Sequence, residues 1–156
     1  MPDSRRSRSL VALLLGASLL TGACVGISTS SPEPTPGDFQ GIATELSKRG
    51  IVIDDIVSGD AGCADRVLIQ TAIGFTASGI DQPEPGRIYL YIFRNRDAFE
   101  RLRATVDQCA RSFVTDPETF ETVEQSPYVV AAQGPWAAGF EAAVREALEV
   151  AAGTGD

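Results

Sequence analysis

The run Ile88-Tyr-Leu-Tyr-Ile-Phe93 restricts the fold more than any other stretch of the chain. Ile88, Leu90 and Ile92 alternate with Tyr89, Tyr91 and Phe93, so a strand through them presents bulky side chains on both faces. A strand with one wet face alternates apolar with polar residues instead. The run therefore predicts a central strand covered on both sides, and the rest of the chain has to supply its neighbours and its cover.

The neighbours are legible on both flanks. Asn95 stands where a helix N-cap belongs, with Asp97 and Glu100 in the positive first turn. Phe99, Leu102, Val106, Cys109 and Phe113 then recur at helical spacing. Upstream, Val67 to Ser78 alternates, although its first part, to Thr71, also suits a helical turn. Gly79 to Gly86 reads as the loop of a hairpin. Ile51 to Val57 is rich in β-branched residues but interrupted by Asp54 and Asp55, and Ser58 to Asp65 is a turn region. Asp38 can cap a first helix carrying Phe39, Ile42, Ala43 and Leu46, which stops at Gly50. Thr115 to Glu121 predicts a short helical turn with Asp116 as cap and Pro117 in first position. Pro127 to Gln133 is the last strand, and Trp136, Phe140, Val144, Ala147, Leu148 and Ala151 mark a closing helix. The order is α-β-β-β-α-β-α. It predicts an α+β domain over 38–153, with a mostly antiparallel four-stranded sheet carrying helices on one face. A ferredoxin-like sandwich is one permutation of that order.

Before this domain the chain changes character. Arg5, Arg6 and Arg8 precede an apolar run from Leu10 to Leu20, and Gly22-Ala23 lead directly into Cys24. Charge, then grease, then small residues is the order of a secretion signal, and the apolar run falls short of the roughly 20 residues of a membrane span. With the cysteine in that place, residues 1–24 resemble the signal and lipobox of bacterial lipoproteins, although Thr21 stands where that family most often has Leu. The resemblance implies cleavage before Cys24, a diacylglycerol on its sulfur, and a palmitate-type acyl chain on the new amine. Two or three chains hold a protein firmly, at about 0.8 kcal/mol per buried CH₂, where one does not. Residues 24–37, dominated by Ser, Thr and Pro, read as an extended tether. Residues 154–156 are a short tail. The expectation is a lipid-anchored protein on the extracytoplasmic side of the cell membrane.

If Cys24 carries lipid, Cys63 and Cys109 remain as an even pair in an oxidising compartment. A disulfide between them would close a loop of about 47 residues, worth roughly 4 kcal/mol on the chain-entropy model; two buried free thiols are the alternative. Without residues 1–23 the chain keeps 10 basic and 20 acidic residues, a formal charge of −10. Such a surface argues against nucleic acid and against a second, polybasic attachment to anionic lipid.

Catalytic candidates are few. The chain has no histidine, which removes Ser-His-Asp and Cys-His chemistry and imidazole ligation of metals. It has no phosphate loop, nucleophile elbow or Cys/His metal spacing, so no cofactor, metal or catalytic residue is assigned. Carboxylates gather in two groups, Asp54, Asp55, Asp60 and Asp65, then Asp116, Glu118, Glu121 and Glu124. They support either a small carboxylate-dependent hydrolase or plain surface and capping duty. Tyr89, Tyr91, Phe93, Tyr128 and Trp136 either line a ligand groove or fill the core between sheet and helices. The reading that follows is a monomeric, non-enzymatic envelope domain that binds another envelope protein or a small ligand.

Overall fold

The computed structural model describes residues 38–153; residues 1–37, with the signal segment, Cys24 and the tether, and residues 154–156 lie outside the described residues. The elements run α1 (Phe39–Lys48), β1 (Ile51–Ser58), a 3₁₀ turn (Leu68–Gln70), β2 (Ala72–Gly79), β3 (Gln82–Ile92), α2 (Arg96–Ala110), a second 3₁₀ turn (Pro117–Thr119), β4 (Phe120–Gln125), β5 (Tyr128–Gln133) and α3 (Ala138–Ala152). The strands form one antiparallel sheet in the order β1-β2-β3-β5-β4. The protein is thus α+β, with helices packed on its sheet. One 3₁₀ turn stands between β1 and β2, where a ferredoxin-like arrangement carries a helix.

β3 lies at the centre, as its two bulky faces require. Ile88 and Leu90 point into a core with Ile42 and Leu46 of α1 and Phe140, Val144 and Leu148 of α3. Tyr89, Tyr91 and Phe93 point the other way, against Phe99, Val106 and Cys109 of α2 and Leu68 of the 3₁₀ turn. The helices therefore occupy both faces of the sheet and not one, which is the arrangement that leaves neither side of β3 wet. All five aromatic residues weighed as a groove are buried: Tyr91 and Tyr128 are fully covered, Phe93 nearly so, and Tyr89 and Trp136 are each 9% exposed. Burial pushes the Tyr128 phenol up to about 12, with the Asp38 charge adding to the shift.

The sheet has five strands, one more than the sequence predicts. The extra strand, β4, contains one fully buried apolar residue, Val123, and a half-buried Phe120 among polar ones. Its pairing with β5 and its position between α2 and α3 make it a strand, and neither is visible locally. The hairpin loop is also shorter than expected, because β3 begins at Gln82. Pro83 and Pro85 are accommodated where the β2–β3 register shifts, between Ala77 and Gly79, and β5 pairs with β3 only from Ile88 onward. No ladder hydrogen bond is asked of either proline.

Both expected caps are in place. Asp38 accepts from Gly41 N and Asn95 from Ala98 N, each at 2.9 Å. Asp116 accepts from Glu118 N at the second 3₁₀ turn. The cap of α3 comes from far away: Asp81, in the β2–β3 turn, accepts from Gly139 N and Phe140 N, both at 2.9 Å. A carboxylate on these amides satisfies orphan donors and meets the positive end of the helix.

Candidate functional site

Chemistry-bearing residues concentrate where β1 ends and the segment 59–71 folds over the α2 side of the sheet. Cys63 and Cys109 form a disulfide, with Cα atoms 5.5 Å apart and a separation of 46 positions in sequence. It fastens this segment to the buried stripe of α2. Tyr91 adds a second attachment, its hydroxyl donating to Ala61 O at 2.8 Å, and burial pushes that phenol's pKa upward. Gly62 has φ +71 and lies so close to Phe113 and Tyr89 that a Cβ would run into both rings. A glycine is required there on both counts.

Asp60, two residues earlier, forms an ion pair with Arg87 of β3. The pair lies across Gly74 of β2, and a side chain at that position would displace it. Arg87 also donates to Asp55 O at 2.9 Å and sits 5.8 Å from the centre of the Tyr89 ring. The Asp60 carboxylate accepts from Gly62 N at 3.0 Å as well. Partial burial disfavours its charge, but the Arg87 hydrogen bond, the Gly62 amide and the Arg87 charge together outweigh burial and hold it below the usual carboxylate range. A general acid for glycoside hydrolysis needs the opposite shift.

The remaining carboxylates are placed one by one. Asp65 accepts from Val67 N and Leu68 N, both at 2.9 Å, and so caps the first 3₁₀ turn. Asp54 is exposed, and Asp55, at φ +50 in the β1 bulge, is reached by Thr76 Oγ1 at 3.5 Å. In the second group, Glu121 accepts from Trp136 N at 3.2 Å and Glu124 grips Arg103 of α2 through both carboxylate oxygens. Glu118 is exposed. The two groups stand on opposite edges of the sheet, β1 with its loop and β4. Among the described residues no His, Cys, Asp or Glu side chains converge in a way that could hold a metal ion, and no helix is long and apolar enough to cross a membrane.

What the structure exposes instead is aliphatic. Among the described residues, Val52, Ile56, Val57, Val67, Ile69, Ile80 and Val150 are the large apolar side chains left exposed. Val52, Ile56 and Val57 belong to β1, Val67 and Ile69 to the segment after it, and Ile80 to the β2–β3 turn, where it lies beside Gly50 as Ile69 lies beside Gly59. Val52, Asp54 and Val57 pair with Ser78, Thr76 and Gly74, so they share the sheet face on which α2 packs. That helix is docked over β3 and β5, and the β1–β2 part of the face carries no helix. Sequence reasoning misses this surface, because a β-branched run such as Ile51–Val57 has the composition of a buried strand. A void enclosed by α1, α3 and the sheet measures about 10 Å³, is lined by apolar side chains, and is too small for anything larger than water.

The chain matches no family model, and neither the curated proteins nor the solved structures include one detectably similar to it.

Proposed function

We propose that this protein is exported, anchored by lipid on Cys24 at the outer side of the cytoplasmic membrane, and that residues 38–153 serve there as a non-catalytic domain binding another envelope protein through the β1 side of the sheet. One observation carries the binding part: six of the seven large exposed aliphatic side chains among the described residues lie in β1, in the segment after it or in the turn beside its start. Contiguous exposed apolar surface with a polar rim is characteristic of interaction sites. The disulfide supports the export part, since such bonds persist in oxidising compartments.

The hydrolase alternative has less behind it. It requires two carboxylates facing one pocket, with one of them desolvated and held protonated. Here Asp60 is driven toward the charged form by Arg87, and Asp65, Asp116, Glu121 and Glu124 are engaged by backbone amides or by Arg103. A small-ligand role is likewise less favoured, because Tyr89, Tyr91, Phe93, Tyr128 and Trp136 are buried and not arranged along a groove.

The anchor is tested by metabolic labelling with palmitate. The native protein should take up label and partition with membranes, and Cys24→Ser should do neither. Undiminished label in that variant would remove the anchor from the proposal.

A further inference from the structure

We propose that the occupant of the β1 side is an extended, basic polypeptide segment of the partner protein, which adds as a further strand to the free edge of β1 and lays aliphatic side chains on Val52 and Val57; this rests on the binding role proposed above. Among the described residues β1 pairs along one side only, with β2, so the backbone groups of its other side face outward in the sheet order. An unpaired strand edge is a template for another strand unless something blunts it. A bulge between Asp54 and Val57 and two aspartates blunt β1 in part. Neither device explains why Val52 is 56% exposed, Ile56 54% and Val57 47%. Aliphatic exposure on that scale beside a free edge suits strand addition, where main-chain hydrogen bonds supply affinity and alternate side chains supply specificity.

Charge selects among occupants. The stretch 51–80 holds Asp54, Asp55, Asp60 and Asp65 against a single cation, Arg66. Arg87, the nearest cation on the neighbouring strands, is spent on Asp60 and on the Asp55 carbonyl. A second copy of this chain, paired antiparallel along the full length of β1, would set Asp54 and Asp55 against the same residues of its own kind, and like charges facing across strands are destabilising. A segment that presents aliphatic, Lys or Arg, then aliphatic side chains in turn along one face meets both features: the cation toward Asp54 and Asp55, the aliphatics on Val52 and Val57.

The test uses the whole protein in detergent, with and without Cys24→Ser, and a peptide whose one face runs Val, Lys, Val with Thr between them (the Lys-Val peptide) against the same peptide with Glu in place of Lys (the Glu-Val peptide). The Lys-Val peptide should bind more tightly than about 1 mM, weaken as salt is raised, and slow amide exchange within Ile51–Val57. Val52→Lys with Val57→Lys should weaken it about tenfold or more while leaving the melting temperature unchanged, since both sites are half exposed. Equal binding of the Glu-Val peptide, binding indifferent to those substitutions, protection elsewhere in the sheet, or no binding would each overturn the inference. So would a dimer that the same substitutions dissolve, which would assign the edge to a second copy. The Cys24→Ser chain keeps the outcomes separable: peptide binding there is read without the lipid, and a failed palmitate result leaves it untouched.

Discussion

The sheet has two edges, and they are built in opposite ways. β4 is short, and α2 and α3 hold it from either side: Glu124 grips Arg103, Glu121 receives the Trp136 amide, and Val123 is 1% exposed. β1 is longer and is covered on one face only, where Ile51 and Ile53 meet the α1–α3 core. Its other face and its outer side carry Val52, Ile56 and Val57 in the open. The polar strand is thus the tightly held one, and the aliphatic strand is the exposed one. Whether a strand belongs to the core is decided by what packs over it, more than by its own composition.

The largest test of this contrast removes the one covalent tie on the β1 side. Replacing Cys63 and Cys109 by serine should cost about 4 kcal/mol, or roughly 15 °C in melting temperature. Amide exchange should speed most in the segment 59–71 and least in β4. A loss below about 1 kcal/mol would mean that Tyr91 and the packing on α2 hold the segment by themselves.

A paired truncation compares the edges directly. Val123→Ala should destabilise by about 2 kcal/mol, the transfer of two methyl groups plus a small cavity. Val52→Ala should fall within about 0.5 kcal/mol of the native protein. Equal losses in denaturant melts would show that the β1 side is covered in solution and would remove the basis for a docking surface.

The smallest effect lies in acid. The Asp60 carboxyl is depressed in the folded protein, so it contributes stability above its unfolded value, near pH 4, and that contribution fades as the pH falls through the lower folded value. With the side chain about a third exposed, solvent screens the pair and the effect is modest. Asp60→Asn should flatten the acid limb of the stability curve slightly without moving the plateau far. An unchanged acid limb would take Asp60 out of the linkage.

Much of this architecture can be read along the chain because its causes are local. The two-faced pattern of Ile88 to Phe93 places β3 at the centre, and Asp38, Asn95 and Asp116 begin the elements expected of them. The Cys63–Cys109 bridge follows from counting and joins the residues expected. What escapes is set by distant partners. β4 offers two apolar residues in six, Phe120 and Val123, and is defined by its pairing with β5 and by Arg103. The cover on the second face of the sheet depends on where α2 lands after leaving β3, which no periodicity records. The exposed surface escapes for the same reason: Ile51 to Val57 reads as interior until the strand order puts it outermost.

Asp81 closes the amino end of α3 from 58 and 59 positions earlier in the chain. A cap in the preceding residue would be at hand as soon as the helix formed, whereas this one is presented by the tip of the β2–β3 hairpin. The two amides at the start of the last helix find this acceptor only when the hairpin tip lies against them, so seating the rod on the ribbon and closing its end go together. A change at that tip would therefore be felt at the far end of the polypeptide, in a helix whose own residues are intact.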